Sequence, residues 1–213
     1  MNKLSTLDDI IDKNIDNTWF LIIGMIASGK SHIIREIHKY NKSRVFASVV
    51  ICPQERLFHF YKDFIEDKYI YNQYYESSIL NRILERQKLL INNNYNTEVI
   101  FDDSLSANGK WIKNYDIQYL YNNKDDHKLT IIMSFKIAYG IPIEMRNKYD
   151  YVFLLDDQFI NTRKRMYYHY ASNIFNTFEE FNKVMNFEIN GGFNSLVLDM
   201  RNKKYFIYNS HNN

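Results

Sequence analysis

Residues Trp19–Ile34 read WFLIIGMIASGKSHII and carry the clearest structural pattern in the chain. Their apolar start, Trp19–Ile23, has the length and composition of a buried β-strand. The following residues, Gly24-Met-Ile-Ala-Ser-Gly-Lys-Ser31, match the phosphate-binding pattern GxxxxGK(S/T), and an amphipathic helix comes after them. Because this pattern binds phosphate only between a strand and a helix N-terminus, the flanking segments make it a strong signal. The stretch therefore predicts a P-loop.

Each part of this loop has a defined task in holding ATP. Gly24 and Gly29 let the backbone turn so that successive N–H groups face the phosphates, and the helix N-terminus adds its positive dipole. Lys30 is predicted to neutralise the β- and γ-phosphates, and the Ser31 hydroxyl to bind Mg²⁺. The predicted nucleotide-binding residues are Gly24, Met25, Ile26, Ala27, Ser28, Gly29, Lys30, Ser31, His32 and Ser134.

Short apolar runs recur between helical stretches along the chain. The predicted strands are Trp19–Ile23, Val45–Ile51, Val99–Phe101, Leu129–Met133 and Tyr151–Leu155. Helical spacing of apolar residues predicts amphipathic helices at Ser31–Tyr40 and Ser78–Ile91. Such an alternation predicts an α/β fold, with a mostly parallel sheet flanked by helices and ligands at the carboxyl ends of the strands.

The end of the chain has a different pattern. Ser195–Asp199 and Lys203–Tyr208 flank a polar turn, as the strands of an antiparallel hairpin do. We expect this C-terminal β-hairpin at a sheet edge.

Two acidic pairs follow predicted strands. Asp102 and Asp103 come directly after Val99–Phe101; Asp102 would bind Mg²⁺, and Asp103 would polarise the attacking water. Asp156 and Asp157 follow Tyr151–Leu155 in the same pattern, and either pair can also be a solvated turn. We favour the first pair, because the strand after it ends in Ser134, which could sense the γ-phosphate.

Basic residues offer several interpretations. Arg146, Arg163 and Arg165 are candidates for an arginine that stabilises charge in a neighbouring subunit's site, and a solvated surface role fits each equally well. We assign Arg146, with Lys30, Asp102 and Asp103, to the catalytic set. A solvated charged face is the preferred interpretation of a further group of basic residues, which could otherwise contact DNA phosphates. They are Lys110, Lys113, Arg163, Lys164 and Arg165.

Composition sets broader limits. The 213 residues are 46% hydrophobic and 24% charged, which predicts a single globular domain over residues 1–213. No apolar run approaches the ~20 residues that cross a bilayer, and no secretion signal is recognisable, so we expect no membrane span and a cytosolic site of action. Cys52 is the only cysteine and is predicted to be a core thiol. A net charge of +2 neither requires nor excludes nucleic acid.

With these residues in place, the chain resembles the poxvirus-type DNA packaging ATPases of nucleocytoplasmic large DNA viruses, P-loop motors of the FtsK-HerA lineage with a RecA/FtsK-like sheet. The resemblance rests on the loop Gly24–Ser31, the strand ending in Val50-Ile-Cys-Pro53, and Val99–Asp103. It also rests on the segment Ile141–Phe153, with its proline, arginine and asparagine before an apolar strand, and on Leu196-Val-Leu-Asp-Met-Arg-Asn.

This resemblance implies a homo-oligomeric ring at a capsid vertex that couples ATP hydrolysis to the translocation of double-stranded DNA. The implied partners are double-stranded DNA, further copies of the chain and viral capsid vertex proteins. The implied location is the virus factory in the host cytoplasm, with association to the virion.

Two other functions remain open from the residues. A nucleoside or nucleotide kinase would use Arg163-Lys-Arg165 as a phosphate-clamping lid. A non-enzymatic nucleotide-binding assembly protein would use the ring without turnover.

Overall fold

The computed structural model describes residues 4–93, 95–105, 109–137, 140–189 and 193–210. The chain forms two compact units, which we describe separately. The P-loop unit comprises Met1–Ile15, Phe20–Tyr40 and Ser134–Asn213, and the Asp102 unit comprises Asp16–Trp19 and Asn41–Met133. The single domain expected from the chain length stays a prediction.

The described residues contain strands and helices in alternation. The strands are β1 (Trp19–Ile23), β2 (Ala47–Ile51), β3 (Ile70–Tyr71), β4 (Thr97–Asp102), β5 (Leu129–Phe135), β6 (Tyr151–Leu155), β7 (Asn194–Asp199) and β8 (Lys204–Asn209). The α-helices are α1 (Leu7–Ile10), α2 (Lys30–Asn41), α3 (Glu55–Phe58), α4 (Ser77–Leu90), α5 (Tyr115–Asn122), α6 (Ile143–Arg146), α7 (Ile160–Met166) and α8 (Phe178–Val184). Helices α7 and α8 continue into the π-helical turns Tyr167–Ala171 and Met185–Ile189.

In the P-loop unit the strand order is β1-β6-β7-β8. β1 and β6 are parallel, with Ile22 opposite Phe153, and all residues of both strands are buried. Strands that are buried on both faces read as continuous apolar runs, which explains why both were predicted with the bounds that they have. β7 is antiparallel to β6 and to β8.

The predicted C-terminal hairpin is present, with β7 beginning one residue earlier, at Asn194, and β8 shifted by one residue to Lys204–Asn209. β8 is the last strand of its sheet order. Ser5 forms an isolated parallel bridge to Tyr208 on β8, and its N–H donates to the Ile207 carbonyl at 2.9 Å. This bridge satisfies one backbone group of an edge strand.

In the Asp102 unit the strand order is β3-β2-β4-β5, and β2 is parallel to both β3 and β4. β4 begins at Thr97 rather than at Val99, because its two polar residues are buried with partners. The Thr97 hydroxyl donates to Gln87 Oε1 at 2.7 Å, and Glu98 Oε1 accepts from Asn41 at 3.0 Å. Because Thr97 and Glu98 are polar, the apolar run begins only at Val99, and the sequence pattern predicted the start of the strand too late.

Other bounds differ from the predictions for identifiable reasons. β2 begins at Ala47 rather than Val45, because the Val45 N–H bonds to the Asn41 carbonyl in the turn after α2. β5 extends to Phe135, whose carbonyl accepts the Gly24 N–H at 3.1 Å. Helix α4 ends at Leu90, where the predicted helix ran to Ile91.

The fold class is confirmed. Most strand pairs are parallel, helices flank them, and the antiparallel hairpin ends the chain. Helix α2 buries Ile33, Ile34 and Ile37, which lie on one helical face as predicted. Among the described residues, no helix has both the length and the apolar character that crossing a membrane requires.

Candidate nucleotide-binding site

The segment predicted to be the P-loop, Gly24–Ser31, lies in the P-loop unit. It connects β1 to α2, and two of its residues have the left-handed backbone conformation that such a turn uses, Ala27 with φ 62° and Gly29 with φ 98°. The Ile33 N–H donates to the Gly29 carbonyl at 3.2 Å, so the first helical turn begins immediately after the loop. The loop therefore presents the N-terminus of α2, where anions bind favourably.

The two glycines of the motif are needed for different reasons. Gly29 is needed for its positive φ. A Cβ on Gly24 would lie 2.5 Å from Ser28 Oγ and 2.9 Å from Leu155 Cβ, so any side chain there would collide with the loop and with β6. Gly24 is therefore required for close approach of the backbone, which the motif alone did not distinguish from a turn requirement.

Lys30 lies where the motif predicts. Its side chain is buried, with 6% exposure, and Nζ donates to the carbonyls of Gly24 at 2.9 Å and Met25 at 3.0 Å. A buried ammonium needs such partners, and these two are part of the loop itself. The positive charge is thus positioned at the loop in this structure.

Other residues of the predicted set surround the loop. Ser28 Oγ is buried and has no hydrogen-bond partner among the described residues, and an unsatisfied buried hydroxyl in a phosphate-binding loop fits a polar ligand. Ser31 and His32 are half-buried in the first turn of α2, and His32 Nδ1 lies 3.2 Å from Arg35 Nη2. Ser134 is buried near the end of β5, one residue before the carbonyl that accepts the Gly24 N–H.

The Asp102 unit holds the favoured acidic pair. Asp102 ends β4 and is buried, and the Tyr61 hydroxyl donates to its Oδ2 at 2.8 Å. The Cys52 thiol lies 3.9 Å from the same oxygen. Burial, followed by the negative charge of Asp102, raises the pKa of Tyr61 well above its usual value, so Tyr61 remains a hydrogen-bond donor.

Cys52 is a core thiol in this unit. Burial first, and the charge of Asp102 second, raise the pKa of Cys52 to about 12. The side chain is therefore a neutral thiol at neutral pH, and a buried thiol of this kind is inert.

Tyr61 is held in place by a second buried carboxylate. Glu55, at the start of α3, is buried, and its Oε1 accepts the N–H groups of Tyr61 at 2.8 Å and Lys62 at 3.1 Å. These bonds satisfy the first two N–H groups of the 3-10 turn Tyr61–Asp63. Sequence reasoning missed Glu55 and Tyr61, because neither lies in a motif and both approach Asp102 only through the fold.

Asp103 has an unusual backbone conformation. Its φ of 47° is left-handed, which for a residue with a side chain costs of order 1–3 kcal/mol. Asp and Asn tolerate this region better than most residues. The Asp103 side chain is half-buried, and it follows Asp102 directly.

The rival pair, Asp156 and Asp157, is engaged in a local network of the P-loop unit. Asp156 Oδ1 forms an ion pair with Arg163 Nη2 at 3.1 Å, and Asp157 Oδ1 accepts the Phe159 N–H at 2.8 Å. Arg163 is 6% exposed and also donates to the Asp157 carbonyl, to Asn182 and to Asn186. These bonds favour a structural role for this pair and for Arg163, in joining the loop after β6 to the following helices.

Arg146 is half-buried at the end of α6. Its Nη1 contacts His169 Nδ1 and donates to the His169 carbonyl at 3.0 Å, while its guanidinium carbon lies 5.7 Å from the Tyr170 ring centroid. Burial, followed by the charges of Arg146 and Arg165, lowers the pKa of His169, so its ring is neutral and can accept a hydrogen bond. Arg165 is exposed. The role of Arg146 toward a neighbouring subunit stays a prediction.

Comparison with known proteins places the chain among viral proteins. No known family profile matches it. It is 29% identical over 211 residues to the uncharacterized protein L437 of Acanthamoeba polyphaga mimivirus. This alignment covers 94% of this chain and 73% of L437. It is 30% identical over 193 residues to the uncharacterized protein 088R of Invertebrate iridescent virus 3, spanning 89% of this chain and 72% of 088R.

Solved structures share the fold. The genome packaging NTPase B204 of Sulfolobus turreted icosahedral virus 2, in complex with AMPPCP, superposes with a TM-score of 0.67 at 15% identity, over 90% of this chain and 97% of B204. The pCW3 conjugation coupling protein TcpA, with ATPγS, superposes with a TM-score of 0.60 at 11% identity, over 93% of this chain and 61% of TcpA. At these identities the likeness concerns the fold.

The fold of this chain is thus an α/β fold of the kind found in P-loop ATPases, with a mostly parallel sheet. The chain belongs to the family of large DNA virus proteins that includes 088R of Invertebrate iridescent virus 3. The resemblance to the FtsK-HerA-lineage ATPases of nucleocytoplasmic large DNA viruses is thereby confirmed.

Proposed function

We propose that this protein is an ATPase that drives double-stranded DNA into a viral capsid. The observation that carries the proposal is the formed P-loop, with Lys30 buried against the carbonyls of Gly24 and Met25. This loop lies in a fold that the chain shares with a viral genome packaging NTPase, and in a family of large DNA virus proteins. A nucleotide-binding loop supports ATP use, and the fold shared with a genome packaging NTPase supports its use in packaging.

The roles of the residues follow from their chemistry. The backbone N–H groups of residues 26–31 and the ammonium of Lys30 would bind the β- and γ-phosphates of ATP. Asp103 would accept a hydrogen bond from water and orient it toward the γ-phosphorus. Attack by this water breaks the bond between the γ-phosphorus and the β–γ bridging oxygen, and ADP leaves with that oxygen. Asp103 takes the proton that the water loses.

Magnesium fits the donor atoms that these residues supply. Mg²⁺ prefers oxygen ligands and takes one or two protein carboxylates together with substrate phosphates. The Ser31 hydroxyl and the Asp102 carboxylate would hold it, and the bond from Tyr61 leaves Asp102 with oxygen lone pairs for a metal. Bound there, Mg²⁺ would offset the negative charge of the β- and γ-phosphates.

The partners follow from the family resemblance. Copies of the chain would form a homo-oligomeric ring at a capsid vertex, and Arg146 would act on the nucleotide of the neighbouring subunit. Basic loops of several subunits would surround one channel and contact DNA phosphates without reading bases. The proposed place of action is the virus factory in the host cytoplasm, with association to the virion.

The deciding experiment is a steady-state ATPase assay with and without double-stranded DNA. We expect turnover to rise with DNA of any sequence, to rise with protein concentration, and to lose the DNA effect with added salt. Lys30→Ala should abolish turnover, whereas Lys39→Ala, which removes an exposed lysine of the same helix paired with Glu36, should leave it unchanged.

The kinase alternative is tested in the same samples. A monomer whose ATP turnover ignores DNA but which phosphorylates nucleosides would replace the motor by a kinase. The burial of Arg163 against Asp156 speaks against this outcome, because a phosphate-clamping lid needs its arginines available to substrate. ATP that is bound but never hydrolysed, with or without DNA, would instead support the assembly protein.

A further inference from the structure

A second feature of the P-loop unit borders the loop that would hold the phosphates. It is an open pocket with a volume of about 470 Å³ beside the P-loop. Loop residues 25–28 form one side, and residues 156–159 after β6 and 193–194 at the start of β7 form the other. Its volume lies in the range of small-molecule sites, about 300–1,000 Å³. The shared residues make the pocket continuous with the loop that would hold the phosphates.

Most polar side chains around this pocket have partners within the protein, whereas Ser28 Oγ, on the phosphate loop, has none among the described residues. Asp156 is paired with Arg163, and Asp157 Oδ1 accepts the Phe159 N–H. The Asn194 amide donates to the Glu188 carbonyl at 2.7 Å and accepts from Asn209 at 2.7 Å. Gln158 is exposed. The pocket therefore offers few fixed groups that could read the hydrogen-bonding edge of a ligand.

Its remaining surface is aromatic and apolar. The Phe159 side chain is 70% exposed and that of Phe193 is 53% exposed, and Met25 and Ile26 on the loop side are also exposed. When a ligand covers apolar side chains of this size, the removal of their surface from water lowers the free energy of the complex. Phenylalanine rings also offer flat faces for stacking. A flat aromatic ligand matches this surface better than a sugar or a charged group.

We propose that this pocket binds the nucleobase of the nucleotide by stacking on Phe159 and Phe193, with little discrimination between adenine and guanine. The inference rests on the proposed nucleotide binding at the P-loop. Stacking tolerates any base, because every base has a π-face, and purines gain more from it than pyrimidines through their larger area. Strong selection of one purine requires several fixed hydrogen-bonding groups, and here the two carboxylates and the Asn194 amide already have partners within the protein.

Equilibrium binding to the full chain tests this assignment with ATP, GTP, CTP and inorganic tripolyphosphate. For the unmodified protein we expect ATP and GTP to bind within about threefold of each other, and CTP to bind more weakly. Phe193→Ala and Phe159→Ala should each weaken ATP and GTP binding by about tenfold. Tripolyphosphate, which has no base, should bind all variants equally. Phe193→Leu, which keeps an apolar side chain but no ring, should resemble the alanine variant.

Phe187→Ala is the matched control, because Phe187 is 77% exposed in the same unit and lies outside the pocket lining. Its affinity for all ligands should equal that of the unmodified protein. A preference of more than about tenfold between ATP and GTP would overturn the stacking assignment. Unchanged ATP affinity in both phenylalanine variants would also overturn the stacking assignment. In that case, normal binding of tripolyphosphate would leave the proposed ATPase function intact. Failure of the unmodified protein to bind both ATP and tripolyphosphate would instead remove the P-loop assignment, and this inference with it.

Discussion

Replacing Tyr61 by phenylalanine tests whether Asp102 binds the metal. The change removes only the hydroxyl that donates to Asp102 Oδ2 at 2.8 Å and keeps the ring, which packs edge-to-face against Phe60. A hydrogen bond to a charged group contributes about 1.5–3 kcal/mol, and loss of a partner of a metal-binding carboxylate typically costs about 10-fold to 100-fold in metal affinity. We therefore expect the Mg²⁺ concentration for half-maximal turnover to rise by about 10-fold to 100-fold.

The assay is a Mg²⁺ titration of steady-state ATPase activity at saturating ATP, together with nucleotide binding in the absence of metal. Turnover at saturating Mg²⁺ should fall much less than the apparent metal affinity, because Tyr61 orients the ligand and does not touch the substrate. Metal-free nucleotide binding should not change.

Tyr75→Phe is the matched control for this variant. The Tyr75 hydroxyl donates to Asp116, in the same unit, and has no bond to Asp102. Both variants should lower the free energy of unfolding, by about 1–3 kcal/mol. Only Tyr61→Phe should shift the Mg²⁺ dependence. An unshifted titration for Tyr61→Phe, or an equal shift in the control, would refute the assignment of Asp102 as the metal ligand.

Three further predictions concern the remaining groups. Asp103→Asn should keep nucleotide bound but slow hydrolysis by about 10²-fold to 10⁴-fold, whereas Asp156→Asn should lower thermal stability and leave turnover near normal; the opposite pattern would transfer catalysis to the second pair. If Arg146 acts on a neighbour, mixing Arg146→Ala with Lys30→Ala subunits should restore part of the ATPase activity, and no recovery in mixtures shown to co-assemble would contradict this role. Burial raises the pKa of the Cys52 thiol from 9.0 to about 12. The contribution of the neutral thiol to the free energy of unfolding is therefore complete below pH 9.0 and is lost as the pH rises toward about 12. Chemical unfolding should therefore show a loss of stability over this alkaline range that is smaller in Cys52→Ala, and equal losses would contradict the assignment.

The local part of the candidate site could be predicted from the residues alone. The P-loop is a strand, a turn and a helix in direct succession, so its motif and its supporting elements are adjacent in the chain. β1 and β6 were predicted with their observed bounds because strands buried on both faces are continuous apolar runs. The alternation of apolar runs with helical stretches predicted the fold class, and the polar turn between Ser195–Asp199 and Lys203–Tyr208 predicted the C-terminal hairpin.

Tertiary structure decided the features that depend on residues far apart in the chain. The true start of β4 follows from Gln87 and Asn41, which supply partners to Thr97 and Glu98 and so allow polar residues inside a buried strand. The contact of Tyr61 with Asp102 joins two segments that no motif connects.

Gly24 and the two acidic pairs also show which features the residues alone predict and which depend on tertiary contacts. The sequence determined that a glycine stands at position 24 and that two acidic pairs follow strands. Only the packing of Leu155 against the loop explains why no side chain fits at Gly24, and only the ion pair with Arg163 separates Asp156 from the other carboxylates. The physical reason is that a motif specifies local backbone and side-chain chemistry, while burial and partnership depend on which distant residues the fold brings together.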